Sequence, residues 1–166
     1  VPVDEHMRAA TGVWAVGDVT GQGAFTHVAI HQGQVAADDI LGRSDDPVAQ
    51  WAVPRVTFTD PEVGAVGLTE QAARSRGLEV RTGYADLPDT TRGWIHKVGN
   101  EGFIKVVEDT QRGVLVGATA MGPSGGEVLG LLTLAVNSAV PVDDLRSMMW
   151  AFPTFHRALD DALSDL

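Results

Sequence analysis

Hydrophobic positions first cluster at Val13, Trp14, Ala15 and Val16, a run rich in β-branched and aromatic side chains that predicts a short buried strand, ended by Gly17 and Asp18. A Gly-rich loop follows. Val28, Ala29, Ile30, Val35, Ala36 and Ile40 then recur at helical spacing, which predicts a helix from about His27 to Leu41. The polar, Gly- and Pro-containing run Gly42-Arg43-Ser44-Asp45-Asp46-Pro47 marks a break.

From Val53 the pattern changes. Val53–Thr59 and Glu62–Leu68 are two strand-like runs joined by Asp60-Pro61, and Thr69 is a good N-cap, with Glu70 in the first turn of a short helix closed by Gly77. Leu78–Ala85 alternates like a strand, Asp86–Asn100 is turn-rich, and Gly102–Val107 and Gly113–Met121 flank Glu108-Asp109-Thr110-Gln111-Arg112 as a hairpin. Ser124 can cap a helix running to about Ala139. Its Val128, Leu129, Leu131, Leu132, Leu134, Ala135 and Val136 spread so widely around the wheel that most of its surface is expected to be buried. Pro141-Val142-Asp143-Asp144-Leu145 opens a short helical turn. Pro153–Leu166 reads as a last helix with Leu159, Ala162, Leu163 and Leu166 on one side.

Strands clustered before helices, without strand–helix–strand alternation, imply an α+β class over 53–166: an antiparallel sheet with helices on one face. Residues 1–46 read instead as the tail of an α/β domain, and 47–52 as a linker. A lone strand and helix of about forty residues cannot cover its own apolar faces, so this first segment is expected to belong to a larger sheet and the chain to be a fragment.

Composition narrows the partners. Lys and Arg number 12 against 22 Asp and Glu, a net charge of −10, which argues against a phosphate backbone or an anionic membrane surface. Neither nucleic acid nor a membrane is expected. No stretch approaches the roughly 18 apolar residues of a membrane span. The absence of cysteine removes disulfides, thiolate metal sites and a cysteine nucleophile from these residues and is compatible with a cytoplasmic location. His6, His31 and His96 show no metal-like spacing. His27 and His31 are four apart and could share a helix face, but no third ligand accompanies them, and chance spacing accounts for the pair.

Candidate chemistry gathers at Asp18. Ligands of open α/β sheets bind outside the carboxyl ends of the strands, where an acid can accept hydrogen bonds from a sugar-like hydroxyl, and a helix N-terminus near Thr26 favours negative charge. The alternative is an Asp that merely closes a turn. The run TGVWAVGDVTGQGAFTHVAIHQG, from Thr11 to Gly33, resembles the second flavin-binding motif of the pyridine nucleotide-disulfide oxidoreductases. Further along, VPRVTFTDPEVGAVGLTEQAA, GFIKVV, GVLVGATAMGPSGGEVLGLLTLAV and DDLRSMMWAFPTFHRAL resemble, in order, the C-terminal dimerisation domain of the same family. The resemblance spans nearly the whole chain. It implies a homodimeric flavoprotein that uses FAD and NAD(P)H, with Gly17, Asp18, Thr26, His27 and Ala29 at the cofactor. Asp18 would hold a ribityl hydroxyl, and the helix beginning at Thr26-His27 would face the flavin edge where charge accumulates on reduction. Thr26 and His27 also suit the plainer role of N-cap residues.

The chain departs from its relatives near the end. Thiol-active members carry a His-Pro-Thr run followed by a Glu, the His acting as acid/base and the Glu orienting it. Here the run is Phe152-Pro153-Thr154-Phe155-His156-Arg157, with Phe152 at the base position and Arg157 at that of the Glu. Phe has no titratable group and Arg stays protonated, so no residue is expected to be catalytic in the family's sense, and His156 reads as a surface or interface histidine. Trp150, Phe152, Met148 and Met149 form an apolar patch that reads first as core packing and second as the lining of a pocket for a planar acceptor. The expected activity is electron transfer from NAD(P)H to a quinone-like small molecule. A disulfide reductase, a purely structural homodimerisation module and an unrelated α+β binding protein are the alternatives.

Overall fold

The computed structural model describes residues 1–43 and 52–166. They divide into two units, Val1–Val53 and Pro54–Leu166. The linker expected at 47–52 lies, apart from Ala52, outside the described residues, as does the break from Ser44 to Pro47.

In the first unit, β1 (Arg8–Ala10) and β2 (Val13–Trp14) form a two-stranded antiparallel hairpin that turns at Gly12, whose φ of +73° suits a residue without a Cβ. The strand expected over Val13–Val16 is therefore shorter than its apolar run, and it is not buried: Val13 is 52% and Val16 38% exposed. The reason is pairing, since β1 is its one partner in this sheet. The helix α1 (Thr26–Leu41) forms as its spacing predicts, closed by Gly42 in the left-handed region. Its buried stripe is Val28, Gln32 and Ala36, each four residues from the next.

Asp39 on α1 fastens the hairpin. Its carboxylate accepts from Arg8 Nε at 2.8 Å, from Arg8 Nη2, and from the Trp14 indole at 2.7 Å. The Arg8 guanidinium first, and the Trp14 N–H after it, hold the carboxyl below the usual carboxylate range against the opposing effect of burial.

The second unit is a five-stranded antiparallel sheet in the order β3-β4-β7-β6-β5, with β3 at Arg55–Thr57, β4 at Glu62–Gly67, β5 at Val80–Asp86, β6 at Phe103–Asp109 and β7 at Val114–Gly122. The α+β reading holds. Helices α4 (Gly125–Asn137) and α6 (Ala158–Ser164) cover one face, meeting Gly64, Gly83, Ile104 and Ala120, which register places on the same side. Gly64 and Gly125 let α4 come close: a Cβ at Gly64 would stand 2.9 Å from the Gly125 carbonyl oxygen. The small α2 (Glu70–Ser75) lies instead on the opposite face, where Ala73 packs with Val80, Val107 and Val116, and Glu70 accepts from Lys105 Nζ at 2.9 Å. Helices on one face alone is thus corrected by α2.

Capping separates local from distant signals. Thr69 caps α2 as expected, accepting from Ala72 N–H at 3.1 Å. Ser124 does not cap α4: it adopts φ +59° in the turn from β7, where its hydroxyl makes no capping bond, and Glu62 of β4 accepts from Gly126 N–H at 2.9 Å instead. The turn-rich stretch from Asp86 to Asn100 contains α3 (Thr91–His96), capped by the Thr90 hydroxyl on Gly93 N–H at 3.1 Å. After the short α5 (Val142–Ser147), the last helix begins at Ala158 rather than Pro153, because Phe155 turns inward and the Phe155 and His156 carbonyls accept the first tight-turn bonds. Leu159, Ala162 and Leu163 are buried as expected, and Leu166 is only partly so.

Candidate functional site

The sequence-predicted residues fall in two places, one in each unit. In the first, Gly17 takes φ +81°, and a Cβ there would stand 3.4 Å from that of Ala29, so these two positions meet where the loop leaves β2 and passes α1. Asp18 opens a short 3-10 turn, Asp18–Thr20, and is exposed; its carboxylate has no protein partner among the described residues. Phe25 is the cap residue of α1 and its side chain offers no capping oxygen, so Thr26 is the first helical residue rather than the cap. The first intrahelical bond runs from Ala29 N–H to the Phe25 carbonyl at 3.1 Å, and the earlier N–H groups of this turn are the ones a helix leaves for an outside acceptor. Thr26 and His27 are exposed, and the His27 ring stacks on Phe25 with centroids 5.3 Å apart.

Gln32 is the residue this pattern did not single out. It is fully buried, its Oε1 accepts from Gly17 N–H at 2.6 Å, and its Nε2 donates to Gln22 Oε1 at 3.2 Å. An amide flanked at four-residue spacing by Val28 and Ala36 on a buried stripe is the signal that could have found it.

In the second unit, Phe152 and Arg157 meet. The Arg157 guanidinium carbon stands 5.9 Å from the Phe152 ring centroid and the same group is paired to Asp160 at 3.3 Å and Asp161 at 3.0 Å. Both line a small cleft with Thr90, Arg92 and Thr154. His156 is exposed, as expected of a surface histidine. Core packing does not describe the apolar patch: Met149 is 98%, Phe152 66% and Met148 41% exposed, and Trp150 is half-buried. The segment before α6 is irregular, and Phe155 is the side chain that enters the core, edge-on to His96 and 4.8 Å beneath Arg92. Among the described residues no three His, Asp or Glu side chains come together as a metal site, and no helix is long and apolar enough to cross a membrane.

An α+β sheet carrying α4 and α6, with the motifs above in this order, defines a dimerisation domain. Residues 53–163 match the family described as pyridine nucleotide-disulphide oxidoreductase, dimerisation domain, and the chain belongs to that family. Its members are FAD-dependent oxidoreductases that use NAD(P)H and form homodimers. The chain is 37% identical over its whole length to a dihydrolipoyl dehydrogenase of Mycobacterium tuberculosis, covering 36% of that protein. It is 32% identical over 96% of its length to a mercuric reductase of Bacillus cereus, covering 25% of it. Among solved structures it resembles LpdA from Mycobacterium tuberculosis with a TM-score of 0.88 and 28% identity, over 98% of this chain and 35% of that one. The chain thus spans about a third of the length of the dihydrolipoyl dehydrogenases it matches.

Proposed function

We propose that the full-length protein is an FAD-dependent NAD(P)H oxidoreductase that delivers electrons to quinone-like acceptors, and that this chain supplies its dimerisation domain (53–166) and a flavin-contacting segment (within 1–46). The observation that carries the acceptor class is at the C-terminal segment. Phe152 and Arg157 stand where the family's proton-transferring pair would stand, and Arg157 is already held by Asp160 and Asp161. The exposed faces of Met148, Met149 and Phe152 support a planar apolar acceptor.

The cofactor assignment is supported by the first unit. Asp18 has an open carboxylate, Gly17 at φ +81° brings the loop alongside Ala29 of the helix, and Thr26 and His27 begin a helix without a side-chain cap from Phe25. These residues suit a ligand that presents hydroxyls to Asp18 and a polarised edge to the helix end. FAD, when bound, supplies the two-electron relay between nicotinamide and acceptor. Val13, Val16, Val19, Ile30, Ile40 and Leu41 remain exposed, which supports a larger α/β domain around this segment.

A second reading, a disulfide reductase, is favoured by the 37% identity to dihydrolipoyl dehydrogenase. The test compares NAD(P)H oxidation by the full-length protein with a naphthoquinone, with lipoamide and with glutathione disulfide, and repeats it for Phe152→His combined with Arg157→Glu. General acid/base assistance is worth about 10²- to 10⁴-fold, so quinone turnover should dominate by a margin of that order. Robust disulfide turnover by the unmodified protein overturns the reading, since another residue, His156 being nearest in sequence, must then supply the proton.

A further inference from the structure

A glutamine at the centre of a buried helical stripe is costly unless every polar atom is paired. Gln32, 0% exposed between Val28 and Ala36, has its whole amide turned toward the loop after β2. Its Oε1 accepts from Gly17 N–H at 2.6 Å, and its Nε2 donates to Gln22 Oε1 at 3.2 Å and to Thr20 Oγ1 at 3.5 Å, the weakest of the three. Thr20 closes the ring, donating its hydroxyl to the Gly17 carbonyl at 2.8 Å and accepting from Gln22 N–H at 3.3 Å. One side chain thereby grips both ends of the 17–22 loop. The exposed Asp18, one residue beyond the gripped Gly17 N–H, has no protein partner of its own among the described residues.

We propose that Gln32 is the positioning residue of the flavin-facing loop: it fixes the Gly17 peptide and thereby sets the direction in which the Asp18 carboxylate meets the ribityl hydroxyl. This rests on the reading of Asp18 as a flavin contact. A hydrophobic residue of similar shape would fill the same space on α1 more cheaply, so the amide is there for the loop. Gln32 is fully buried and its oxygen is bonded to Gly17 N–H, so it acts through Gly17.

The experiment uses the full-length protein and measures FAD affinity, the visible spectrum of bound flavin, its midpoint potential and the melting temperature for Gln32→Met, Gln32→Glu and Asp18→Ala. Gln32→Met keeps the shape and removes every bond. It should weaken FAD binding about tenfold or more and alter the bound-flavin spectrum. Gln32→Glu keeps an acceptor for Gly17 N–H, and the Gln22 amide can turn to donate to it, so flavin affinity should largely return. The melting temperatures of both variants with excess FAD separate lost positioning from lost folding. If Gln32→Met fails to fold, Gln32→Glu decides: near-native affinity supports positioning through Gly17, and affinity as poor as that of Asp18→Ala overturns it. Native flavin affinity and spectrum in Gln32→Met, with Asp18→Ala impaired, overturn the positioning role alone. Native flavin binding in Asp18→Ala as well overturns the reading beneath it.

Discussion

Single residues show where this chain tolerates little change. Asp39 holds Arg8 and Trp14, and those bonds favour its ionised form. Its folded-state pKa lies below that of the unfolded chain, so the unfolded state binds more protons as acid is added. The stabilisation is fully present above the unfolded carboxylate value of about 4 and is lost as pH falls through the folded one. Amide protection at Arg8–Trp14, taken relative to the intrinsic exchange rate at each pH, should therefore fall on acidification below about pH 4, and Asp39→Asn should show that low protection already at about pH 7. An unchanged acid response in Asp39→Asn would remove Asp39 from this role. Gly83 is constrained sterically: a Cβ there would overlap the Ala162 carbonyl of α6. Gly83→Val must push α6 off the sheet, at a cost of about 1–3 kcal/mol or more, read as a lowered melting temperature. A melting temperature equal to the parent's would show that α6 can slide away freely.

Elements explain both what the sequence made legible and what it hid. Helix α4 was expected to be buried over most of its surface, and against the sheet it is: Val128, Leu129, Leu132, Ala135 and Val136 are inside. Its outer stripe is not. Leu134 is 60% exposed, aligned at helical spacing with the exposed Gly130 and the half-buried Leu131, and a small residue beside a leucine suits close approach of another helix. Leu134→Arg should therefore shift sedimentation from dimer to monomer while leaving the circular dichroism intact, and a dimer that persists places the interface elsewhere. The strands of the sheet and the Thr69 cap were legible because their signals are local: alternation, and a hydroxyl three residues from the N–H it serves. The cap of α4 was not, because Glu62 reaches Gly126 from 64 residues away. Helix α3 was masked by Pro88, Gly93 and two threonines, which read as a turn, although Thr90 is its cap. Gln32 was passed over because a period-based reading follows apolar positions, and its importance lies in what the buried amide bonds. The exposure of the Met148–Phe152 patch was not legible, because it depends on how the chain turns before α6.

At the scale of the whole chain, the two units differ in how completely they cover themselves. Pro54–Leu166 has a sheet with a buried core on its α4 and α6 face, anchored by Ile104, Val106, Leu132, Leu159 and Leu163, and its exposed apolar side chains include Leu134, Met148, Met149 and Phe152. Among the described residues of Val1–Val53, few apolar side chains are buried, Met7, Val28 and Ala36 among them, and Val13, Val19, Ile30, Ile40 and Leu41 are exposed. Exposed apolar side chains of this kind mark surfaces that other protein covers; in the reading proposed above these are the rest of an α/β domain for the first unit and a second copy of the chain for the second. In the proposed reading Asp18 and one helix end are the flavin contacts of this chain, too few to retain a large dinucleotide, since isolated hydrogen bonds contribute only about 0.5–1.5 kcal/mol each. The purified 166-residue chain should accordingly be colourless after gel filtration with FAD, yet sediment as a dimer at micromolar concentration. Both outcomes follow from the same difference in coverage, and they are separable: stoichiometric yellow flavin would show that the first unit carries a complete site, whereas a colourless monomer would show that α4 and the C-terminal patch need the remainder of the protein in order to pair.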